Sequence, residues 1–297
     1  MDARRRSLIA CATQALLPGF ALAKAPAAIQ PMSPLQQTFS LARHDGYTGW
    51  RVTIRQPAGP APAQGWPVAY MLDGNAVLQA LPSHARLAQG LLLVAVGYDT
   101  NDRFDTASRA WDYTPLPPGA HGSAPDPRSA ARLNGGADLF LAFLQRLHGE
   151  LAAQWPIDPR RRTLYGHSYG GLFVLHALLT QPGAYDRYVA ASPSLWWHAP
   201  YMTRRIAGAP QRPASMPRGA LLVLAGGAER VRQERCRDCA SGAPTPGQAE
   251  RFVQDISARP DLHARFRMLP GLSHGETLNA SLPWALRMAS AAGDCLD

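Results

Sequence analysis

Gly166-His167-Ser168-Tyr169-Gly170 is a G-x-S-x-G pentapeptide. Its spacing suits a strand that turns into a helix so tightly that the central serine projects its hydroxyl clear of the chain. The glycines two before and two after that serine let strand and helix approach without a side-chain clash. A serine hydroxyl is a weak nucleophile at neutral pH and needs a base. His274, in Gly271-Leu272-Ser273-His274-Gly275, follows the last predicted strand and precedes the last predicted helix, the slot a base occupies when the chain order is serine, acid, histidine. His167 sits beside the serine, but its side chain is expected to leave the turn in another direction. His176 falls in a helix, and His198, in a loop near the serine, is the rival. An acid that orients the histidine should follow the strand at 220–225, which points to Glu229, with Glu234 and Asp238 a few residues beyond. The alternative for Glu229 is a solvent-exposed side chain in a charged loop. Oxyanion donors are expected from the Tyr169 amide and from Asp73-Gly74-Asn75, where the amides of Gly74 and Asn75 follow an earlier strand. The alternative there is an ordinary turn.

The elements that must position these residues alternate between strand and helix. Residues 38–42 and 50–56 read as an antiparallel pair and residues 67–72 as a buried strand. Residues 75–88 have helical periodicity interrupted by Pro82. Residues 91–97 form a continuous apolar run of the kind buried on both faces of a parallel sheet. Residues 98–136, dense in Pro, Gly, Asp and Arg, read as one long irregular stretch, which in a single domain points to function. Helices are expected over 138–151, 172–179, 248–259 and 277–291, and strands over 162–165, 188–191, 220–225 and 264–269. This alternation predicts an α/β fold, a mainly parallel sheet with helices on both faces.

The chain has 297 residues, of which 46% are hydrophobic, enough for one sizeable core. Arg4-Arg5-Arg6, an apolar stretch from Leu8 to Phe20 and Ala21-Leu22-Ala23 predict an export signal over residues 1–23, with a twin-arginine flavour. Residues 24–34, rich in Ala and Pro, read as a linker, and residues 35–297 as the domain. Elsewhere no apolar run approaches the ~20 residues of a membrane span. Removing residues 1–23 takes three Arg and one Asp from a net charge of +9, so the chain stays basic and favours anionic partners. No Lys/Arg run or aromatic–basic interleaving points to nucleic acid. Neither a stable membrane association nor a cofactor or metal is expected, and the domain should be a monomer. Cys236-Arg-Asp-Cys239 has half of a zinc spacing without a second half. One disulfide among Cys236, Cys239 and Cys295 is expected, and the pairing stays open.

Taken together, several segments resemble the esterase D/Fes-type family, and within it the periplasmic trilactone siderophore esterases. They are Tyr70-Met-Leu-Asp-Gly-Asn-Ala76, Arg109 with Asp112-Tyr-Thr-Pro115, Gly135-Gly136, Gly166-His-Ser-Tyr-Gly-Gly-Leu-Phe173, Ser192-Pro-Ser-Leu195 and Ser273-His-Gly275. The resemblance covers nearly all of the domain. It implies the α/β-hydrolase fold and hydrolysis of serine esters in a catecholate trilactone such as enterobactin or salmochelin, so that its iron can be released. It also implies Ser168 as nucleophile and His274 as base, in a Ser–His dyad or a triad completed near Glu229. The loop 226–247 and Trp196-Trp197-His198 depart from the family pattern. For a trianionic aromatic substrate, Arg103, Arg109, Arg128 and Arg132 form a candidate cationic rim, and Trp196 and Trp197 candidate stacking surfaces. The alternatives are surface solubility for the arginines and core packing for the tryptophans. The same machinery would serve a general carboxylesterase or acyltransferase on carbohydrate or lipid esters. A non-catalytic siderophore-binding protein is the third reading.

Overall fold

Apolar runs make the middle of the sheet. In the computed structural model, which describes residues 36–229, 245–293 and 296, the elements run β1 (Gln36–Leu41), β2 (Trp50–Arg55), β3 (Trp66–Leu72), α1 (Gly74–Ala80) and β4 (Leu92–Tyr98). Next come α2 (Thr106–Asp112), β5 (Ala124–Asp126), β6 (Ser129–Asn134), α3 (Ala137–Gln154), β7 (Ile157–His167) and α4 (Tyr169–Thr180). β8 (Arg187–Ala191), α5 (Tyr201–Arg205), β9 (Gly219–Gly226), α6 (Thr245–Ile256), β10 (Leu262–Leu269) and α7 (His274–Ser290) complete the chain. The export signal, the linker, the four cysteines, Glu234 and Asp238 lie outside the described residues.

Eight strands form one sheet in the order β1-β2-β4-β3-β7-β8-β9-β10. β1 and β2, and β2 and β4, pair antiparallel, and every later pairing is parallel. Period-two alternation explains why the central strands must be apolar throughout. Val68, Tyr70 and Leu72 of β3 face one core, with α3, α4 and α6, while Ala69 and Met71 face the other, with α1 and α7. α4 is buried along nearly its whole length.

One expectation is corrected. The stretch 98–136 is not structureless, since it holds α2 and the β5–β6 hairpin. The Asp105 carboxylate starts α2 by accepting the Ser108 amide at 2.8 Å, a cap too local to stand out among the other Asp of this stretch. Within 75–88 the helical pattern breaks at Pro82, as its sequence implies. α1 ends at Ala80 and a 3-10 segment carries residues 81–88, because Pro82 cannot donate a backbone hydrogen bond.

Candidate active site

Ser168 lies between β7 and α4 with φ 60° and ψ −117°. That left-handed backbone costs a non-glycine residue of order 1–3 kcal/mol and persists only where the surroundings impose it. Here they do. The Ser168 amide donates to the Ala191 carbonyl on β8 at 2.9 Å. A Cβ on Gly166 would stand 2.3 Å from the Gly170 carbonyl oxygen, so only glycine permits so tight a turn.

Each partner of the serine comes from the end of another parallel strand. His274 opens α7 just after β10, and its Nε2 lies 3.0 Å from Ser168 Oγ. Its Nδ1 lies 3.1 Å from Oε2 of Glu229, which follows β9. The Glu229 side chain is 1% exposed and that of His274 38%, so the line runs from a buried carboxylate to an accessible imidazole. Oε1 of Glu229 accepts the Gly226 amide at 2.7 Å, the Thr277 hydroxyl at 3.0 Å and the Ser192 hydroxyl. Burial pushes this carboxyl up. The hydrogen bonds from His274 and Ser192, the charge of His274 and the Gly226 amide outweigh burial and hold it below its ordinary value. Glu229 is therefore an ionised, fully satisfied acceptor rather than a solvated surface group.

His167 does leave the turn in another direction. Its Nε2 lies 2.9 Å from the His274 carbonyl oxygen, to which it can only donate. Burial, helped by the charges of His274 and Arg109, holds its pKa far below the usual imidazole value. A neutral His167 thus pins the backbone of His274 without competing for the Ser168 proton.

The residues expected to supply oxyanion donors stand at helix starts. Tyr169 is the first residue of α4, and Gly74 and Asn75 open α1, where the leading amides have no acceptor inside the helix. The Asn75 side chain is committed elsewhere, donating to the carbonyls of Tyr98, Thr100 and Asp102 and accepting the Tyr98 amide. Asp73, at φ 52°, sets the turn, and a Cβ on Gly74 would lie 2.8 Å from β4 backbone.

Three substrate-binding assignments need correction. Arg109 is no free cation, because its guanidinium grips both carboxylate oxygens of Asp73 at 2.9 and 2.8 Å and reaches the His167 carbonyl at 3.4 Å. It ties the β3–α1 turn to the serine turn. Trp197 is 0% exposed and donates Nε1 to Asn134 at 2.8 Å, so it is core. Trp196 is buried too, its ring beside Tyr169 and covered by the Arg128 guanidinium at 3.8 Å. Of the other rim arginines, Arg132 pairs with Asp126 at 3.2 Å. Arg103 lies 3.4 Å from the Asn279 side chain.

Sequence reasoning missed Ser192 and Thr277, which hold the Glu229 carboxylate, and Ser194, whose Oγ is 3.3 Å from Ser168 Oγ. Ser192-Pro-Ser194 stood within the family pattern, but nothing local says that one serine reaches toward the acid and the other toward the nucleophile. Among the described residues no group of three His, Cys, Asp or Glu is arranged to hold a metal, and no helix is long and apolar enough to cross a membrane.

A serine at a strand-to-helix elbow, backed by imidazole and carboxylate from later strand ends of a mostly parallel sheet, defines the α/β-hydrolase class. Residues 48–245 match the Esterase family, and the chain belongs to it. The apo-salmochelin esterase of Escherichia coli is 34% identical over 251 residues, 82% of this chain and 75% of that protein. The ferri-bacillibactin esterase BesA of Bacillus subtilis is 36% identical over 168 residues, 52% of this chain. The chain spans just over half of that relative, 57% of its length. Among solved structures, the enterobactin hydrolase IroE in complex with DFP superposes with a TM-score of 0.67 at 32% identity, covering 84% of this chain and 93% of that one.

Proposed function

We propose that this chain is an exported serine esterase that hydrolyses the ester bonds of a catecholate trilactone siderophore of the enterobactin or salmochelin kind, and so aids release of its iron. The observation that carries the chemistry is the unbroken line from Ser168 Oγ through His274 to Glu229. Ser168 Oγ attacks the ester carbonyl while His274 Nε2 takes its proton. The carbonyl oxygen, now negative, rests on the Tyr169 amide and those of Gly74 and Asn75. His274, oriented and balanced by Glu229, returns the proton to the leaving alkoxide. Water, deprotonated by the same imidazole, then frees the acid and restores the serine. These steps use side chains, backbone amides and water.

The substrate class rests on the relatives, named as esterases of bacillibactin, enterobactin, salmochelin and triacetylfusarinine C. Export, to the periplasm or out of the cell, rests on the basic, apolar, Ala-x-Ala N-terminus, and the domain acts as a monomer. The test is hydrolysis of iron-free and ferric enterobactin beside a p-nitrophenyl ester. Trilactone opening that falls by about 10⁴-fold or more in Ser168→Ala is expected. Cleavage of the simple ester alone would keep the machinery and remove the siderophore from the reading.

A further inference from the structure

Ser168, Glu229 and His274 all follow strand ends, whereas at the opposite edge the strands begin. There a cavity of about 910 Å³ is lined by five arginines, 160, 161, 187, 212 and 218, against two carboxylates, Asp158 and Asp186. Arg187 and Gly219 open β8 and β9, so the cavity is separate from the site described above and does not depend on the function proposed for it.

Among the described residues the charges there do not balance. Asp186 is already paired with Arg212 at 2.5 Å and with Arg162 at 3.2 Å. Asp158 accepts the backbone amide of Arg160 at 2.9 Å. Arg187 is buried, and its guanidinium meets the carbonyls of Met288, Ala289, Ala291 and Gly293. Those carbonyls close the C-terminal end of α7, which welcomes a cation but supplies only about half a negative charge. Among the described residues no carboxylate pairs with Arg187. Arg161 bonds the Ser290 carbonyl at 2.5 Å, and its Nε is buried without a hydrogen-bond partner. Burial and the nearby Arg187 charge hold Arg161 below its ordinary pKa, against the pull of Asp158. Arg160 and Arg218 stand exposed at the rim, with one nitrogen of Arg218 on the Leu262 carbonyl at 2.7 Å.

We infer that this cavity binds a multivalent oxyanion bearing a diphosphate group. Arg187 and Arg212 are engaged by carbonyls and Asp186, whereas Arg161 and Arg218 each spend one nitrogen on a carbonyl, and with Arg160 they suit an anion that carries charge at more than one point. A cavity of this volume has room for a group larger than one phosphate. Bound there, the anion would balance Arg161 and Arg187 and give the idle Arg161 Nε an acceptor.

Isothermal titration of the full-length protein with pyrophosphate at low ionic strength tests this. One saturable site is expected, with affinity falling as salt is raised. Arg161→Gln and the exposed Arg218→Gln should each weaken it by about tenfold or more. Ser168→Ala and Arg128→Gln, at the other edge, should bind as the parent does. ADP in place of pyrophosphate tells a nucleoside-borne diphosphate from a free one. Tighter binding of ADP means that the nucleoside also finds contacts in the cavity, and equal or weaker binding means that the diphosphate alone is held. Absence of saturable pyrophosphate binding, binding by Arg161→Gln and Arg218→Gln as tight as the parent's, or loss of binding in Arg128→Gln overturns the inference.

Discussion

Two turns of this molecule share one backbone device and deliver different things. Asp73, between β3 and α1, and Ser168, between β7 and α4, both take left-handed φ values, 52° and 60°, without being glycine. At the first turn the side chain is consumed, since the Asp73 carboxylate is held by Arg109, and the amides that follow open α1. At the second turn the amide is consumed by Ala191 and the hydroxyl is left to His274. A strained residue at a strand end is thus an aiming device. What it aims is decided by which of its own groups the surroundings have already engaged. Arg109, touching Asp73 on one side and the His167 carbonyl on the other, holds the two turns in register.

The comparison can be sharpened from several sides. Glu229→Gln keeps the shape of the acid but not its charge, and should lower kcat by about 10⁴-fold, as when a triad loses its carboxylate. A loss under tenfold in steady-state esterase assays would mean that Ser168 and His274 work as a dyad. Asp73→Gly removes the strain but strands the Arg109 guanidinium, so thermal or urea unfolding should show a loss of about 3 kcal/mol. Turnover should fall with it, by about tenfold to a hundredfold, as the donor turn drifts. Ser168→Gly relieves the same backbone strain and strands nothing charged, so the protein should gain about 1 kcal/mol while losing activity. If both glycine variants moved stability in the same direction, the account of the two turns would fail.

The smallest effect concerns pH. His167 has a folded pKa held well below its ordinary value by burial and by the charges of His274 and Arg109, so the unfolded chain binds a proton first, near pH ~6.5. Its contribution to stability is therefore whole above that pH and is lost as pH falls below it. Melting temperatures measured between about pH 5 and 7 should decline toward acid. His167→Gln, which keeps a donor for the His274 carbonyl, should flatten that decline. Equal slopes in the two proteins would remove His167 from the acid response.

Much of this architecture was legible as pattern. Residues 91–97 and 220–225 are short runs, apolar without alternation, as a strand buried on both faces requires, and the G-x-S-x-G turn needs a strand before it and a helix after it. What escaped was set by distant neighbours. α2 and the β5–β6 hairpin are short and capped by Asp and Asn that also fit a loop. Trp196, Trp197 and Arg109 have residue types common in binding sites, and their burial depends on Asn134, Arg128 and Asp73, none adjacent in the sequence. The surroundings of Glu229 come from β8, β9 and α7 together, so its environment could not be read from its own loop.

The order of the strands also decides when this chain can become active. The elbow belongs to β7, but the imidazole and carboxylate behind it follow β10 and β9. Those strands join the sheet only by pairing across long separations in the chain, which is a slow kind of assembly. A growing polypeptide released only as far as α4 would carry Ser168 as an ordinary alcohol. Ester cleavage therefore reports that the last strand has docked, which makes turnover a sensitive clock for the completion of folding.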